Sequence, residues 1–402
     1  MERAELARII GARGRAAAPC AAIIEERDPA RFQEAFGAAV ASGGAVFVAD
    51  PSWGAVEREA FSRLAEAGTG LRESAGWLRL PTGGSGGGMK LARHDERTLA
   101  AAVAGAAAHF GVPRMNAVGV LPLHHVSGLM AWLRCALTGG RYRPWSWADL
   151  AVGRWPELPQ GDWFLSLVPT QLQRLLDQPA AAEQLRRFRA VFLGGGPAWP
   201  YLLDRAAAAR LPLAPGYGMT ETAAMVASLR PEEFLAGRRG CGLPLPHARV
   251  TIDSDGAIVV EGESLFRGYA GAELQSGAWT TGDLGLIDGE GGLRVLGRRD
   301  GIIISGGEKI DPVEVESALR SSGQFDDVAV IGLPDPDWGQ AVVACFPAGG
   351  AAPDLAAVEA GLSASLAAHK RPKRYHAVAE WPRNEQGKLS RAALAARLGT
   401  AR

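Results

Sequence analysis
The stretch from Trp279 to Ile310, WTTGDLGLIDGEGGLRVLGRRDGIIISGGEKI, constrains this chain most, because a corner dense in Asp, Arg and Gly divides it. Before that corner the sequence reads as a large α/β body, and after it as a second, smaller α/β unit. Leu286 and Ile287 are expected to pair with Leu293 to Leu296 across a glycine-rich turn, with Asp283 just upstream behind a Thr-Gly pair. An Arg-Arg-Asp-Gly corner (Arg298 to Gly301) follows, then a buried-type strand from Ile302 to Ile304 that runs into Gly306-Gly307. Such a corner suits a hinge beside a polar ligand; it also suits a plain hairpin and linker, since short motifs match by chance.

The chain has 402 residues, enough for one large and one small domain with a real core. Lys plus Arg is 43 and Asp plus Glu is 43, so the formal net charge is zero, which argues against non-specific attraction to nucleic acid or an anionic membrane. No apolar run reaches the length of a membrane span, and the N-terminus, MERAELARIIGARGR, lacks an apolar signal core. Cys20, Cys135, Cys241 and Cys345 stand far apart without CxxC spacing, which reads as buried free thiols in a reducing compartment, over disulfides or zinc. The histidines show no metal-ligand spacing; His124-His125 is the close pair, and neighbours on a strand point to opposite faces. The expectation is a soluble, cytoplasmic α/β protein.

Residues 1 to 44 are Ala-rich and helix-prone; Ala45 to Ala49 reads as a short buried strand and Glu57 to Ala67 as a helix. Trp77 to Leu80 is strand-like and leads into Pro81-Thr-Gly-Gly-Ser-Gly-Gly-Gly-Met-Lys90. Glycines let backbone N–H groups converge on an anion, hydroxyls add donors and a lysine adds a point charge, whereas a floppy linker needs none of the last three. The run is not a GxxxxGK[ST] P-loop, because Leu91 follows Lys90. Asp95 is placed to cap a helix from Glu96 to Phe110, with Gly111 as its stop. Met115 to Pro122 reads as a strand delivering Leu123-His-His-Val-Ser-Gly-Leu129 at its carboxyl end, where open α/β sheets bind ligands. A histidine there is either a ligand-side group or a hydrogen-bonded structural residue.

Ala190 to Leu193 is a strand ending in Gly194-Gly195-Gly196-Pro197, a weak signal on its own. Gly216-Tyr-Gly-Met-Thr-Glu-Thr222 sets glycines around an aromatic and a hydroxyl before a carboxylate. That grouping can stack a base and hold Mg²⁺, or be a turn with Tyr217 in the core. Arg249 to Glu261 reads as a hairpin, and Gly262 to Tyr269 as its scaffold-like continuation. Asp311-Pro-Val-Glu314 is a helix start; strands at Val328 to Leu333 and Ala341 to Phe346 and a helix near Asp354 to Ala368 follow. The basic run Lys370 to Arg374 is either a solvated surface or a contact for an anionic ligand, and Lys388 sits behind a glycine near the end.

TTGDLG, GRRDGIIISGGEKIDPVEVE, the glycine-hydroxyl run ending at Lys90, YGMTE and GExxxxGY occur in the order of the adenylate-forming superfamily (acyl- and aryl-CoA ligases, luciferases, adenylation domains), and the chain resembles it from about residue 75 to 395. Gly86 and Met89 depart from that superfamily's usual phosphate loop. LPLHHVSGL and SLVPTQLQRLL are similar to the branch of o-succinylbenzoate–CoA ligases of menaquinone and phylloquinone synthesis. The resemblance implies an α/β fold with a large N-terminal domain of layered sheets and helices (1–299) and a small mobile C-terminal α+β domain (300–402), turning about Asp300. It implies ATP, Mg²⁺ and coenzyme A as cofactor and co-substrates, and an AMP-forming ligation of a small carboxylic acid.

By the same resemblance, Lys388, Thr220 and Glu221 are catalytic, with Glu221 also the metal ligand. Thr82, Gly83, Gly84, Ser85, Gly87 and Lys90 hold phosphates; Gly195, Gly196, Pro197, Tyr217 and Gly218 meet the adenine side; Asp283 and Arg298 hold the ribose. His125, Ser127, Gly216 and Met219 line the acid pocket, Gly306 and Gly307 the CoA channel, and His125, Ser127 or Arg134 is the donor to a second carboxylate. A homo-oligomer stays open. Rival readings are a ligase for another aryl acid, a carrier-protein-loading adenylation enzyme, a non-catalytic nucleotide or acyl-adenylate binder, and a structural protein; Lys388 argues against the last two.

Overall fold
The computed structural model describes residues 1–11, 20–68, 76–83, 89–196, 198, 200–306, 308–383 and 389–399. Four sheets organise them into the large N-terminal and small C-terminal domains of the expected α/β fold. In the first sheet β1 (Ala22–Ile24), β2 (Val46–Val48) and β3 (Leu78–Gly83) run parallel, and β4 (Met89–His94) returns antiparallel to β3. The second sheet takes β5 (Asn116–Gly119), β6 (Tyr142–Pro144), β7 (Trp163–Leu167), β8 (Ala190–Leu193), β9 (Leu213–Met219), β10 (Ala224–Ser228) and β11 (Leu243–Pro244) in the order 11-10-9-8-7-5-6. Its β6-β5-β7-β8-β9 part is parallel. Strands such as Ala190–Leu193 are buried along their whole length, which is why they read as unbroken apolar runs rather than alternating ones.

Helices α1 (Arg3–Ile9), α2 (Pro29–Ser42) and α3 (Ala55–Gly68) flank the first sheet, and α4 (Glu96–His109) and α5 (Val126–Thr138) lie between the two sheets. Leu99, Val103, Leu129 and Leu133 of this pair pack with Val46, Val48, Leu78 and Leu80 of the first sheet. Ala106 of α4 and Phe110 beyond it pack with Phe164 and Phe192 of the second, while Ala131 and Cys135 of α5 meet Ala117. A helix apolar on both sides suits a middle layer. Asp95 starts α4 by accepting the N–H groups of Arg97 (3.0 Å) and Thr98 (2.9 Å), a cap that is worth about 1 kcal/mol.

The third sheet is the antiparallel run β12 (Ala248–Ile252), β13 (Ala257–Gly262), β14 (Trp279–Ile287) and β15 (Leu293–Arg298). Leu286 pairs with Arg294 and Ile287 with Leu293, as the glycine-rich turn required. A short turn, Arg299–Gly301, leads to the fourth sheet: β16 (Ile303–Ser305), β17 (Glu308–Ile310), β18 (Ala329–Asp335), β19 (Gly339–Pro347) and β20 (Arg374–Val378). One face of this sheet packs Val330, Val342 and Ala344 on helices Pro312–Ser321 and Leu355–Ser365; the other packs Ile331, Val343 and Cys345 on Leu394.

Four expectations change. The helix-prone first 44 residues also contain β1, a strand of three residues in which only Ile24 is buried, too short to leave a periodic signal. The strand expected over 115–122 ends at Gly119, and residues 121–125 bend and turn into α5. Of the apolar run Ile302 to Ile304, only Ile303 enters the core; Ile304 is 44% exposed because β16 lies on one face of a two-faced sheet. Of the four thiols expected to be buried, the structure buries Cys135 and Cys345 but leaves Cys20 exposed and Cys241 half-buried.

Candidate active site
The carboxyl end of β9, the β3–β4 hairpin and Asp283 of β14 meet around the turn Thr220–Thr222, with the end of β8 beside β9. β9 carries Gly216 to Met219, and a single 3₁₀ turn, Thr220–Thr222, reverses the chain into β10. The reversal is tight: a Cβ on Gly218 would lie 1.9 Å from the carbonyl oxygen of Ala224, so no side chain fits there. Ala223 and Ala224 themselves take positive φ (50° and 78°), a backbone cost of the kind that concentrates at functional turns.

Tyr217 is only 8% exposed, its ring packed with Val226, Val250 and Ile258. Its hydroxyl donates to Asp283 Oδ2 at 2.7 Å. Burial, reinforced by the Asp283 charge, pushes the phenol well above its ordinary range, so it remains a donor. From the other side Arg298 Nη1 lies 3.4 Å from Asp283 Oδ1, a pairing set by the register of Asp283 opposite Arg298 on β14 and β15. Thr281 Oγ1 accepts the Asp283 N–H at 3.0 Å. The structure thus gives Tyr217 a holding contact and keeps most of its ring in the core, one of the two readings open from the sequence.

Glu221 is 6% exposed and its Oε1 accepts the hydroxyl of Tyr269 at 2.8 Å. Lys90 Nζ stands 4.8 Å over the ring of the same tyrosine, a cation–π distance. Thr82 pairs with Lys90 and Gly83 with Met89, so the ends of β3 and β4 bracket the glycine-hydroxyl run. Gly84, Ser85 and Gly87 lie outside the described residues, as do Pro197, Gly307 and Lys388. Thr220 is fixed through its carbonyl, which accepts the Nε2–H of His94 at 2.7 Å; His94 Nδ1 lies 3.0 Å from Thr98 Oγ1. Burial drives the His94 imidazole down to about 4, so it stays neutral and holds one tautomer at physiological pH. Tyr269 and His94 are contacts of the candidate site that sequence reasoning missed. GExxxxGY was read as scaffold, and a lone histidine at a strand end carries no pattern.

His125 stands at the N-cap of α5, with Ser127 in its first turn, and Gly216 and Met219 are half-buried on β9. The two histidines are not on a strand, so the expectation that they face apart fails. In the turn before α5 both rings point at one carboxylate, Asp50, which ends β2 on the other sheet. His124 Nε2 is 3.5 Å from Asp50 Oδ1 and His125 Nε2 is 3.6 Å from Oδ2. Ser52 donates its N–H (2.8 Å) and O–H (2.6 Å) to Asp50 Oδ1. Burial raises this carboxyl, but the Ser52 bonds and the two histidines outweigh it and hold it below its ordinary value; burial likewise lowers His124. Arg134, a candidate donor to a second carboxylate, is instead 5% exposed in the core, its guanidinium 5.5 Å over the Phe192 ring and lowered by burial to about 10.

Gly195 and Gly196 follow β8, close to Val168 and Pro169. On the small domain Gly306 takes φ +59°, and a Cβ there would meet the Trp338 ring at 3.0 Å. Lys373 Nζ lies 4.7 Å from the ring centroid of this half-exposed indole. Asp300 falls within the Arg299–Gly301 turn between β15 and β16. Arg383 and Leu389, which bracket the segment containing Lys388, are joined by a β-bridge. No helix among the described residues is long and apolar enough to cross a membrane.

Residues 79–270 match the AMP-binding enzyme family and residues 314–388 the AMP-binding enzyme C-terminal domain. The 2-succinylbenzoate–CoA ligase of Geobacillus kaustophilus (strain HTA426) is 37% identical over 295 residues, 69% of this chain and 60% of that protein. That of Bacillus licheniformis is 35% identical over 293 residues, 67% of this chain and 59% of that protein. The chain therefore spans about 60% of the length of these curated relatives. The o-succinylbenzoate CoA synthetase (MenE) of Bacillus subtilis in complex with the acyl-adenylate OSB-AMP superposes with a TM-score of 0.78 at 25% identity, covering 100% of this chain and 92% of that one. The same enzyme with ATP and magnesium ion gives 0.75 at 25% identity over 97% and 92%. Both domain families matched in order, on the sheets and turns just described, place this chain in the AMP-binding, adenylate-forming enzyme family.

Proposed function
We propose that this chain is an ATP-dependent acid–CoA ligase working through an acyl-adenylate, with 2-succinylbenzoate as the acid and 2-succinylbenzoyl-CoA as the product. The observation that carries the reading is the Asp283 carboxylate gripped by Tyr217 and Arg298 in a chain that matches both AMP-binding domains. The aryl acid is favoured by the relatives, whose names give 2-succinylbenzoate as their substrate. On this reading the enzyme serves menaquinone or phylloquinone synthesis in the cytoplasm.

In the first half-reaction the acid's carboxylate attacks the α-phosphorus of ATP and pyrophosphate leaves. Two anions must meet, so the chain's task is to place positive charge and donors around them. Asp283 accepts the ribose hydroxyls, Gly195 to Pro197 and the exposed edge of Tyr217 bound the adenine, and Thr82 to Lys90 hold the β and γ phosphates. Lys388 bridges the attacking carboxylate and the α-phosphate. Glu221, a nearly buried carboxylate beside Lys90 and Tyr269, fits a hard cation that shares phosphate oxygens. When bound there, magnesium supplies charge that offsets the triphosphate's own. In the second half-reaction the CoA thiol, as thiolate, attacks the acyl carbon and AMP leaves. The small domain (300–402) turns about Asp300, withdrawing Lys388 and presenting Gly306 and Gly307 to the pantetheine arm.

Pyrophosphate release from ATP across a panel of aromatic acids, with and without CoA, tests this. The expected result is acid-dependent release that is greatest with 2-succinylbenzoate and yields its CoA thioester. Release with another acid but not this one overturns the substrate; thioester formation only on a carrier protein overturns the acceptor. Nucleotide binding without release under any acid leaves a non-catalytic relative.

A further inference from the structure
Asp50, His124 and His125 have no part in that scheme as a set, yet the fold brings them together from two different sheets. All three offer one ligand atom within 4.8 Å of the others. Asp50 is 6% and His124 2% exposed, so this is a built corner rather than a surface cluster. The two imidazole–carboxylate separations, 3.5 and 3.6 Å, are long for hydrogen bonds. The second, from His125 Nε2 to Oδ2, is close to the edge of a tetrahedron whose metal–ligand bonds are about 2.0–2.1 Å, an edge of about 3.4 Å. Asp50 Oδ1 is already held by both donors of Ser52, which fixes the carboxylate and leaves Oδ2 to act as a single-oxygen ligand.

We propose that Asp50, His124 and His125 form a binding site for one zinc-class divalent cation, distinct from the nucleotide-side position at Glu221. Two imidazole nitrogens and one carboxylate oxygen match the donor set that zinc prefers, with a fourth position left for water or another oxygen ligand. Magnesium is a poor match, because it favours oxygen ligands throughout. The cation ties the end of β2 to the start of α5, and so joins the first sheet to the second through the side of the acid pocket.

The full chain, stripped with a chelator and dialysed, is titrated with Zn²⁺ and separately with Co²⁺, whose d–d absorption reports coordination number. One equivalent is expected to bind, with a four-coordinate Co²⁺ spectrum and a rise in melting temperature on Zn²⁺ addition. Asp50→Asn, which keeps the carboxyl group's shape, should weaken binding by more than about 10-fold and abolish the thermal shift, and His124→Asn should act alike. Ser52→Ala should weaken it less, and Cys20→Ser, which removes the exposed thiol, not at all. Sub-stoichiometric binding, or binding that survives Asp50→Asn unchanged, overturns the site and leaves Asp50 as a charge partner of the two rings. These readouts need neither ATP nor acid, so failure of the ligase reading and failure of the metal site are told apart.

Discussion
The cleft of the large domain and the small domain that follows it are built on opposite plans. In the cleft each candidate residue is held by a side chain from a different element: the Asp283 carboxylate by Tyr217 and Arg298, the Glu221 carboxylate by Tyr269, and the Thr220 carbonyl by His94. On the small domain Gly306 directly follows β16, while Lys388 belongs to a segment outside the described residues that Arg383 and Leu389 bracket. On the proposed reading, an interlocked cradle serves whatever keeps AMP in place, which is common to both half-reactions. On the same reading, Lys388 and Gly306 are offered to the cleft one at a time. Damage to the cradle should therefore strike both half-reactions, and damage to the small domain only one.

Lys388→Ala tests the contrast most severely. Adenylate formation, followed by pyrophosphate release, should fall by about 10³-fold, since a cation between two anions is removed. Thioester formation from supplied acyl-AMP should stay within about threefold of the parent. Equal losses would merge the two plans into one. Asp283→Ala comes next: about 10²-fold in kcat/KM for ATP, from a charge-assisted contact to the ribose, with a comparable loss in the half-reaction started from acyl-AMP. A loss confined to one half would remove Asp283 from the shared cradle.

Gly306→Val is the mirror image on the small domain. The residue needs φ +59°, and a Cβ there meets the Trp338 ring at 3.0 Å, so valine both strains the turn and displaces the indole. About a 10-fold loss is expected in thioester formation, seen as a raised KM for CoA, while adenylate formation is unaffected. Tyr269→Phe removes the hydroxyl from Glu221 Oε1 but keeps the ring under Lys90. A few-fold rise in the magnesium concentration needed for half-maximal rate is expected, with KM for the acid unchanged; a shift in the acid instead would place Glu221 in the acid pocket.

The same contrast explains what could be read from the sequence. The β14–β15 hairpin, the α4 cap and the Asp311 helix start were legible because each depends on residues within a few positions of one another: a turn, a cap, an alternation. Asp283 and Arg298 were named by resemblance, and the register of the same hairpin sets them opposite each other. Tyr269 on Glu221 spans 48 residues, and His94 on Thr220 spans 126, so no local pattern announces either. The Asp50 corner escaped notice for a further reason: β5 ends at Gly119, and the turn that follows sends both His124 and His125 the same way. Ile304 misled because a strand of three residues offers too few positions to show which face is wet.

The smallest expected effect lies beside the turn that joins the two plans. Asp311 caps helix Pro312–Ser321 by accepting the Val313 N–H at 2.8 Å, and its carboxylate approaches the backbone of Gly297, near the end of β15. Burial, with help from the charges of Glu316 and Glu314, lifts this carboxyl from 3.8 to about 6. The folded state therefore prefers the protonated acid. Its contribution is best below about pH 4, worsens as pH rises through the interval to about 6, and stays unfavourable above it. Asparagine caps as well as aspartate and carries no charge to bury. Asp311→Asn should thus raise the melting temperature at pH 7.5 by a few degrees, on the order of 1 kcal/mol given the solvent the carboxyl still meets, and leave it unchanged at pH 4. A gain of equal size at both pH values would trace the effect to packing and detach it from charge. A loss at pH 7.5 would mean that the ionised carboxylate itself holds the small domain's first helix to the end of the third sheet.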